Sequence, residues 1–222
     1  MQPDRSRGSR SGADGGAGAG LTVRDLCFHG RGPFSFHLVP GGCVGLTGPS
    51  GIGKSLLLRA LADLDPHEGE LRLNGRLAST FTGPQWRRQV GYLPAVSQWW
   101  HDTVAEHFKD GGVPLLAPSG LPADIGRRPV NRLSTGERQR LAILRLLSNQ
   151  PRVLLLDEPT ANLDRENAMR MEGLILEELH ARHAAALWVS HDLALLERVA
   201  DRRFTWGGNE LQETPAGEAG PP

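Results

Sequence analysis

The chain has 222 residues, enough to bury a substantial core, and its 25 basic residues are balanced by 25 acidic ones. Zero formal net charge and a pI near 7.1 exclude a protein whose main work is coating nucleic acid or an anionic bilayer. No apolar run reaches the ~18–20 residues of a membrane span, and the Arg-, Ser- and Gly-rich start is not a secretory signal. The expectation is one α/β domain over residues 21–213, between a disordered segment (1–20) and a disordered tail (214–222). Cys27 and Cys43 lack zinc or redox spacing and read as small buried hydrophobes of a reducing compartment.

In chain order, Leu21–Phe28 and Phe34–Val39 alternate apolar and polar residues, which predicts half-buried strands. The run GGCVGLTG is a short apolar strand entering glycine, and leucines at helical spacing predict a helix over 55–64. GELRLNGRL predicts a hairpin with a type I′ turn at Asn74-Gly75. A polar helix start at 85–89 and a strand at 90–93 follow. Residues from about 95 to 133 are mixed, with one or two short helices, and begin a small helical subdomain reaching 148. Leu141, Leu144 and Leu147 share one side of a helix over 137–148. RVLLLDE reads as a strand buried on both faces, as does AAALWVSHD. Ala168, Met171, Ile175 and Leu179 line a helix between them. A strand, a Gly-Gly-Asn turn and a short strand end the pattern. The fold class is α/β, a mostly parallel core sheet with an antiparallel fringe.

GPSGIGKS comprises Gly48, Pro49, Ser50, Gly51, Ile52, Gly53, Lys54 and Ser55. It fits the phosphate-binding pattern G-x-x-x-x-G-K-[ST] between a buried strand and a helix. Glycines let backbone amides turn toward phosphate oxygens, and the helix start adds its positive dipole end. Lys54 is placed to reach β- and γ-phosphates, and the Ser55 hydroxyl to ligate Mg²⁺. In LLLDE, Asp157 is the second candidate Mg²⁺ ligand and Glu158 the candidate base for an attacking water.

LSTGERQR precedes Asp157 by about two dozen positions, EPTANLD follows it, and WVSHD ends in His191-Asp192. Together these motifs resemble the ATP-binding cassette (ABC) family over most of Leu21–Leu211. The resemblance implies ATP and Mg²⁺ as ligands and ATP hydrolysis as the activity. It implies a homodimer in which Ser134 and Gly136 of one cassette close over the γ-phosphate held by the other. Asp164 is implied at that interface, its other reading being an N-cap, and His191 beside the γ-phosphate with Glu158. It further implies a separate integral membrane permease, placing the chain in the cytoplasm at the membrane face.

Three features depart from the family pattern. Thr135 and Glu137 alter the signature, Gly30 stands where a base-stacking aromatic is expected, and Ala95 replaces the glutamine after Tyr92-Leu93-Pro94. Phe28 and His29 are approximate substitutes for the aromatic, and Gln98 for the glutamine if the loop shifts. TVAEHF resembles the TV-x-E-N that follows this loop in transporter cassettes, which puts Trp99 and Trp100 at the permease-docking groove. Alternating side-chain directions would bury one tryptophan and leave the other for the partner. Transport subunit, with a small metal or iron exporter as the specific guess, is weighed against a non-transport ABC ATPase of DNA repair or translation. The third reading is an ATP-binding switch with impaired hydrolysis.

Overall fold

The computed structural model describes residues 19–208 and 210–215; the expected disordered start lies outside them except for Ala19 and Gly20. Two sheets share one layered body. An antiparallel sheet, ordered β2-β1-β4-β5, contains β1 (Leu21–Phe28), β2 (Arg31–Leu38), β4 (Glu68–Leu73) and β5 (Arg76–Leu77). A six-stranded sheet, ordered β10-β9-β3-β8-β7-β6, contains β3 (Cys43–Thr47), β6 (Val90–Leu93), β7 (Val153–Asp157), β8 (Ala185–Val189), β9 (Arg202–Gly207) and β10 (Glu210–Pro215). Within it β9, β3, β8, β7 and β6 run parallel, and only the β9–β10 edge is antiparallel. The helices are α1 (Lys54–Leu61), α2 (Gly83–Gln89), α3 (Leu116–Ser119), α4 (Thr135–Ser148), α5 (Arg165–Ala181) and α6 (Leu193–Val199).

The apolar runs explain the layering. Every residue of β7 and β8 is buried, as expected of central parallel strands covered on both faces. One core joins α1 and the antiparallel sheet to one face of the large sheet, around Leu57, Leu58, Trp86, Leu155 and Leu187. The other packs α4 and α5 against the opposite face, around Leu141, Ile143, Leu156, Ile175 and Trp188. Val104, Phe108, Leu121 and Ile125 belong to this second core, so the mixed segment before α4 is anchored by side chains more than by long elements.

Several boundaries moved. Arg31 already pairs with Phe28, so β2 starts three residues before the apolar alternation becomes visible. The expected helix over 55–64 ends at Leu61, and α4 begins at Thr135 because Ser134 caps it. Helix α6 went unrecognised: its pattern is short, and only the Asp192 cap marks its start. Residues 95–133 hold α3 and several 3₁₀ turns. Strand β10 extends to Pro215, past the start of the expected tail, whose residues 216–222 lie outside the described ones. Asn74 and Gly75 both take positive φ (49° and 77°), as the type I′ turn requires. Both cysteines are free, but only Cys43 is buried; Cys27 is half-buried on the fringe strand β1. No described helix is long and apolar enough to cross a membrane.

Candidate functional site

The parallel register brings the carboxyl ends of four strands to one edge. Leu46 aligns with Val189, Asp157 with Val189, and Leu93 with Leu156. The chain leaving β3 becomes the phosphate loop, β7 ends at Asp157, β8 leads into Ser190-His191, and β6 leads into Pro94-Ala95. In open parallel sheets this edge is where ligands bind. A cleft of about 380 Å³ there is lined by Ser50, Gly51, Gly53, Lys54, Ser55, Leu56, Ala95, Asp157, Glu158, Val189 and His191.

The loop needs its glycines. Gly48, Gly51 and Gly53 all have positive φ, and a side chain on Gly48 would meet the Trp206 carbonyl oxygen at 2.7 Å. Lys54 is only 7% exposed, and its ammonium donates to the carbonyls of Gly48 at 2.7 Å and Pro49 at 3.1 Å. Its Nζ lies 3.5 Å from His191 Nε2. Burial lowers the Lys54 pKa, opposed by the negative charges of Glu158 and Asp157. Ile52, within the loop, is half-buried against the first core.

Asp157 is 4% exposed. Among the described residues its carboxylate receives a single side-chain hydrogen bond, from Tyr92 Oη to Oδ2 at 3.2 Å. Burial beside this carboxylate pushes the Tyr92 phenol up, so it stays a donor. A buried carboxylate with oxygen valence to spare, sharing a cleft with the Ser55 hydroxyl, is a hard-oxygen donor pair that fits Mg²⁺. Tyr92 was missed by sequence reading as a site residue; the parallel pairing of β6 with β7 is what puts it there.

Glu158 sits at φ 48°, an uncommon conformation for a side-chain-bearing residue, where the chain turns sharply off β7. The backbone N–H of His191 donates to its Oε1 at 2.9 Å and the Ser190 hydroxyl to its Oε2 at 3.3 Å. His191 Nε2 is 3.7 Å from Oε1. Burial raises the Glu158 pKa, against the lowering effects of His191 and Ser190, so this carboxylate is more basic than an ordinary glutamate. Ser190 is a second missed residue, with no signal beyond its place before the histidine.

Ser134, Gly136 and Asp164 lie outside this cleft. Ser134 Oγ accepts from Glu137 N at 3.2 Å, while Glu137 Oε2 accepts from Ser134 N at 2.9 Å. This capping box gives Glu137 a purpose, since a carboxylate three residues after the cap serves that box as well as an amide does. The Ser134 hydrogen bonds also hold the Glu137 carboxyl below the usual range. Gln139, behind it, donates to the Pro159 carbonyl at 2.8 Å and ties α4 to the segment after β7. Asp164 caps α5 through Asn167 N at 3.0 Å, so the capping reading of that residue holds within this chain. Glu158 and His191 also border a second cavity of about 670 Å³ with Leu163, Arg165 and Met169, near the Asp164 turn.

The three departures have structural counterparts. Ala95 does line the phosphate cleft. Gln98 lines a different groove, with Ser97, Trp99, Arg138 and Asn131, so it does not stand in for a glutamine there. Phe28 is buried in a cluster with Phe34 and Trp206, and His29 lies 3.7 Å from Asp65. Neither residue lines the cleft, and the buried Phe28 ring is not free to do so. Trp99 is half-buried and Trp100 is 65% exposed. Trp99 packs against the second core while Trp100 stays at the surface, as expected of one tryptophan turned inward and one left outside, and the Arg145 guanidinium lies 4.5 and 4.8 Å from the two ring centroids.

With this geometry in place, comparison with known proteins is decisive. The sequence profile of the ABC transporter family matches residues 32–161. The chain belongs to that family. The cassette is 36% identical over 160 residues to the probable iron export ATP-binding protein FetA of Escherichia coli K12, spanning 66% of this chain and 71% of FetA. It is 36% identical over 200 residues to the lipoprotein-releasing system ATP-binding protein LolD of Maricaulis maris MCS10, spanning 80% and 85%. Against protein STAR1 of Oryza sativa subsp. japonica, 36% identity covers 73% of this chain but 51% of STAR1, so the cassette spans about half that relative's length. A solved ATP-binding subunit of an ABC transporter superposes with a TM-score of 0.79 at 23% identity, covering 89% of this chain and 90% of that one. That likeness shows the fold.

Proposed function

We propose that the cassette binds Mg-ATP, dimerises around two nucleotides and hydrolyses them to power a separate membrane permease at whose cytoplasmic face it sits. The observation that carries the catalytic part is the meeting of Lys54, Ser55, Asp157, Glu158 and His191 around one cleft at the ends of β3, β7 and β8. Backbone amides of Gly48–Ser55 and Lys54 would hold the phosphates, and Ser55 with Asp157 would hold Mg²⁺, which offsets charge on the transferring phosphoryl group. Tyr92 orients Asp157 by donating to it. Glu158 orients an attacking water and takes its proton, and His191 lies between Glu158 and the Lys54 end of the cleft.

The dimer reading rests on Ser134 and Gly136, whose helix start does not line this chain's own phosphate cleft, and on the Asp164 turn beside the larger cavity. The permease reading rests on the loop after Ala95. Val96 and Trp100 are exposed there, and Ser97 Oγ, Trp99 Nε1, Arg138 Nε and Arg145 Nη1 are buried without a hydrogen-bond partner among the described residues. Two exposed apolar side chains on one loop, one of them a tryptophan, suit a surface completed by another protein. Iron export and lipoprotein release belong to the named relatives, and small exporters of that kind are the model we adopt for this cassette. Purified cassette should turn over ATP with Mg²⁺ present, and Lys54→Ala should abolish Mg-ATP binding. Full binding by that variant would remove the phosphate-loop assignment.

A further inference from the structure

The triphosphate end of the cleft is set by Lys54 within the phosphate loop and by Asp157, Glu158 and His191, which approach the loop from the β7–β8 side. The nucleoside must therefore leave past the other border of the loop, at Ile52–Gly53. One side chain borders it there. Arg31, at the start of β2, donates from Nε to the Ile52 carbonyl at 2.6 Å and from Nη1 to the His29 carbonyl at 3.2 Å. It covers Gly53 so closely that a side chain at that glycine would meet Arg31 Nε at 2.7 Å and Cζ at 3.3 Å.

Among the described residues its hydrogen-bond partners are two backbone carbonyls and no carboxylate, so the guanidinium is held in place by neutral acceptors. This contrasts with Arg59, Arg72, Arg182 and Arg202, each paired with an acid within 3 Å. Next to it, Gly30 opens onto free space: a side chain there would meet nothing within 4 Å. Of the neighbouring rings, Phe28 is held in its buried cluster, and the exposed His29 lies with its Nε2 3.7 Å from Asp65.

We infer that Arg31 is the base-side contact of this cassette, its planar guanidinium forming the platform on which the nucleobase rests beside Gly30. A guanidinium plane stacks on a heteroaromatic ring, and its charge favours the electron-rich face. Two carbonyl bonds fix the plane before the nucleotide arrives, so little side-chain freedom is lost on binding. Such a platform reads a flat ring and little else, so adenine and guanine nucleotides should bind with similar affinity.

The inference rests on the triphosphate occupying the Gly48–Ser55 loop, and the experiment separates the two. Displacement of a fluorescent ATP analogue would be measured with Mg-ATP, Mg-GTP and inorganic tripolyphosphate, on the wild-type chain and on Arg31→Ala, Arg31→Lys and Arg31→Trp. Arg31→Ala should weaken Mg-ATP about tenfold and leave tripolyphosphate within about twofold. Arg31→Lys, which keeps charge without a plane, should behave like alanine, whereas Arg31→Trp should restore Mg-ATP binding. Thermal melting without nucleotide would establish that each variant folds. Equal losses for Mg-ATP and tripolyphosphate, or full rescue by lysine, would overturn the platform in favour of a phosphate contact. Unchanged Mg-ATP affinity in Arg31→Ala would also overturn it. If the wild-type chain bound neither ligand, the nucleotide assignment itself would fall.

Discussion

Replacing His107 with phenylalanine tests how the double-tryptophan loop is held. The buried ring accepts at Nε2 from the backbone N–H groups of Trp100 and His101, each at 3.0 Å, and engages the Thr103 carbonyl from Nδ1 at 3.0 Å. A single neutral tautomer, protonated at Nδ1, satisfies all three contacts. Trp99, Trp100 and His101 surround it at ring distances of 4.8, 4.9 and 5.0 Å, Arg145 approaches from α4, and Glu106 precedes it in the chain. Phenylalanine keeps the ring and removes both nitrogens. At about 1 kcal/mol per lost bond, and less where water reaches the freed N–H, the variant should be about 2–3 kcal/mol less stable at pH 7.5.

Acid should narrow that gap. Burial, aided by Arg145 and His101, lowers the His107 pKa from its ordinary 6.5 despite the Thr103 hydrogen bond. As pH falls below 6.5 the unfolded chain takes up a proton that the folded chain resists, so this residue's stabilisation fades at up to about 1.4 kcal/mol per pH unit until the lower folded pKa is reached. Urea unfolding followed by circular dichroism at pH 7.5 and 5.5 reads both effects. A variant within about 0.5 kcal/mol of wild type at pH 7.5, or a gap that widens at pH 5.5, would refute the reasoning.

Because burial raises the Glu158 pKa, kcat/KM should fall on acidification through a pKa above the ordinary glutamate value, as the base becomes protonated; a pH profile flat down to 4.5 would contradict this. Glu137→Gln should leave α4 capped but cost up to about 0.5–1 kcal/mol, since it loses the charge that the Ser134 hydrogen bonds and Arg128 favour, whereas Ser134→Ala should cost about 1 kcal/mol in urea unfolding. Ala95→Gln adds a polar side chain to the cleft and should keep basal turnover within about tenfold while changing its stimulation by a membrane partner.

The phosphate loop, both acids and His191 were legible because their chemistry depends on short contiguous spacing: Gly48 to Ser55, then two acids closing a buried strand. Their convergence was less legible, since it depends on strand order. Nothing local says that β8 lies between β3 and β7, yet that order brings Ser190 and His191 onto Glu158. Tyr92 was hidden for the same reason, as its phenol reaches Asp157 across a strand pair separated by 65 positions in sequence. Arg31 carries no motif at all; its placement follows from a fringe strand folding back over the loop at Ile52. Glu137 shows the converse. It departs from a family pattern, and the capping box supplies the local reason.

Single-turnover hydrolysis by Glu158→Gln tests the central claim most directly. Glutamine keeps the size and one acceptor oxygen for the His191 N–H; its amide NH2 takes the place of the oxygen that accepts from Ser190, whose hydroxyl can turn to accept instead, and the amide cannot take a proton. Mg-ATP affinity should stay within about threefold of wild type while the chemical step slows by about 10²–10⁴. A variant that hydrolyses bound ATP within about threefold of the wild-type rate would show that Glu158 is not the base and would contradict the account.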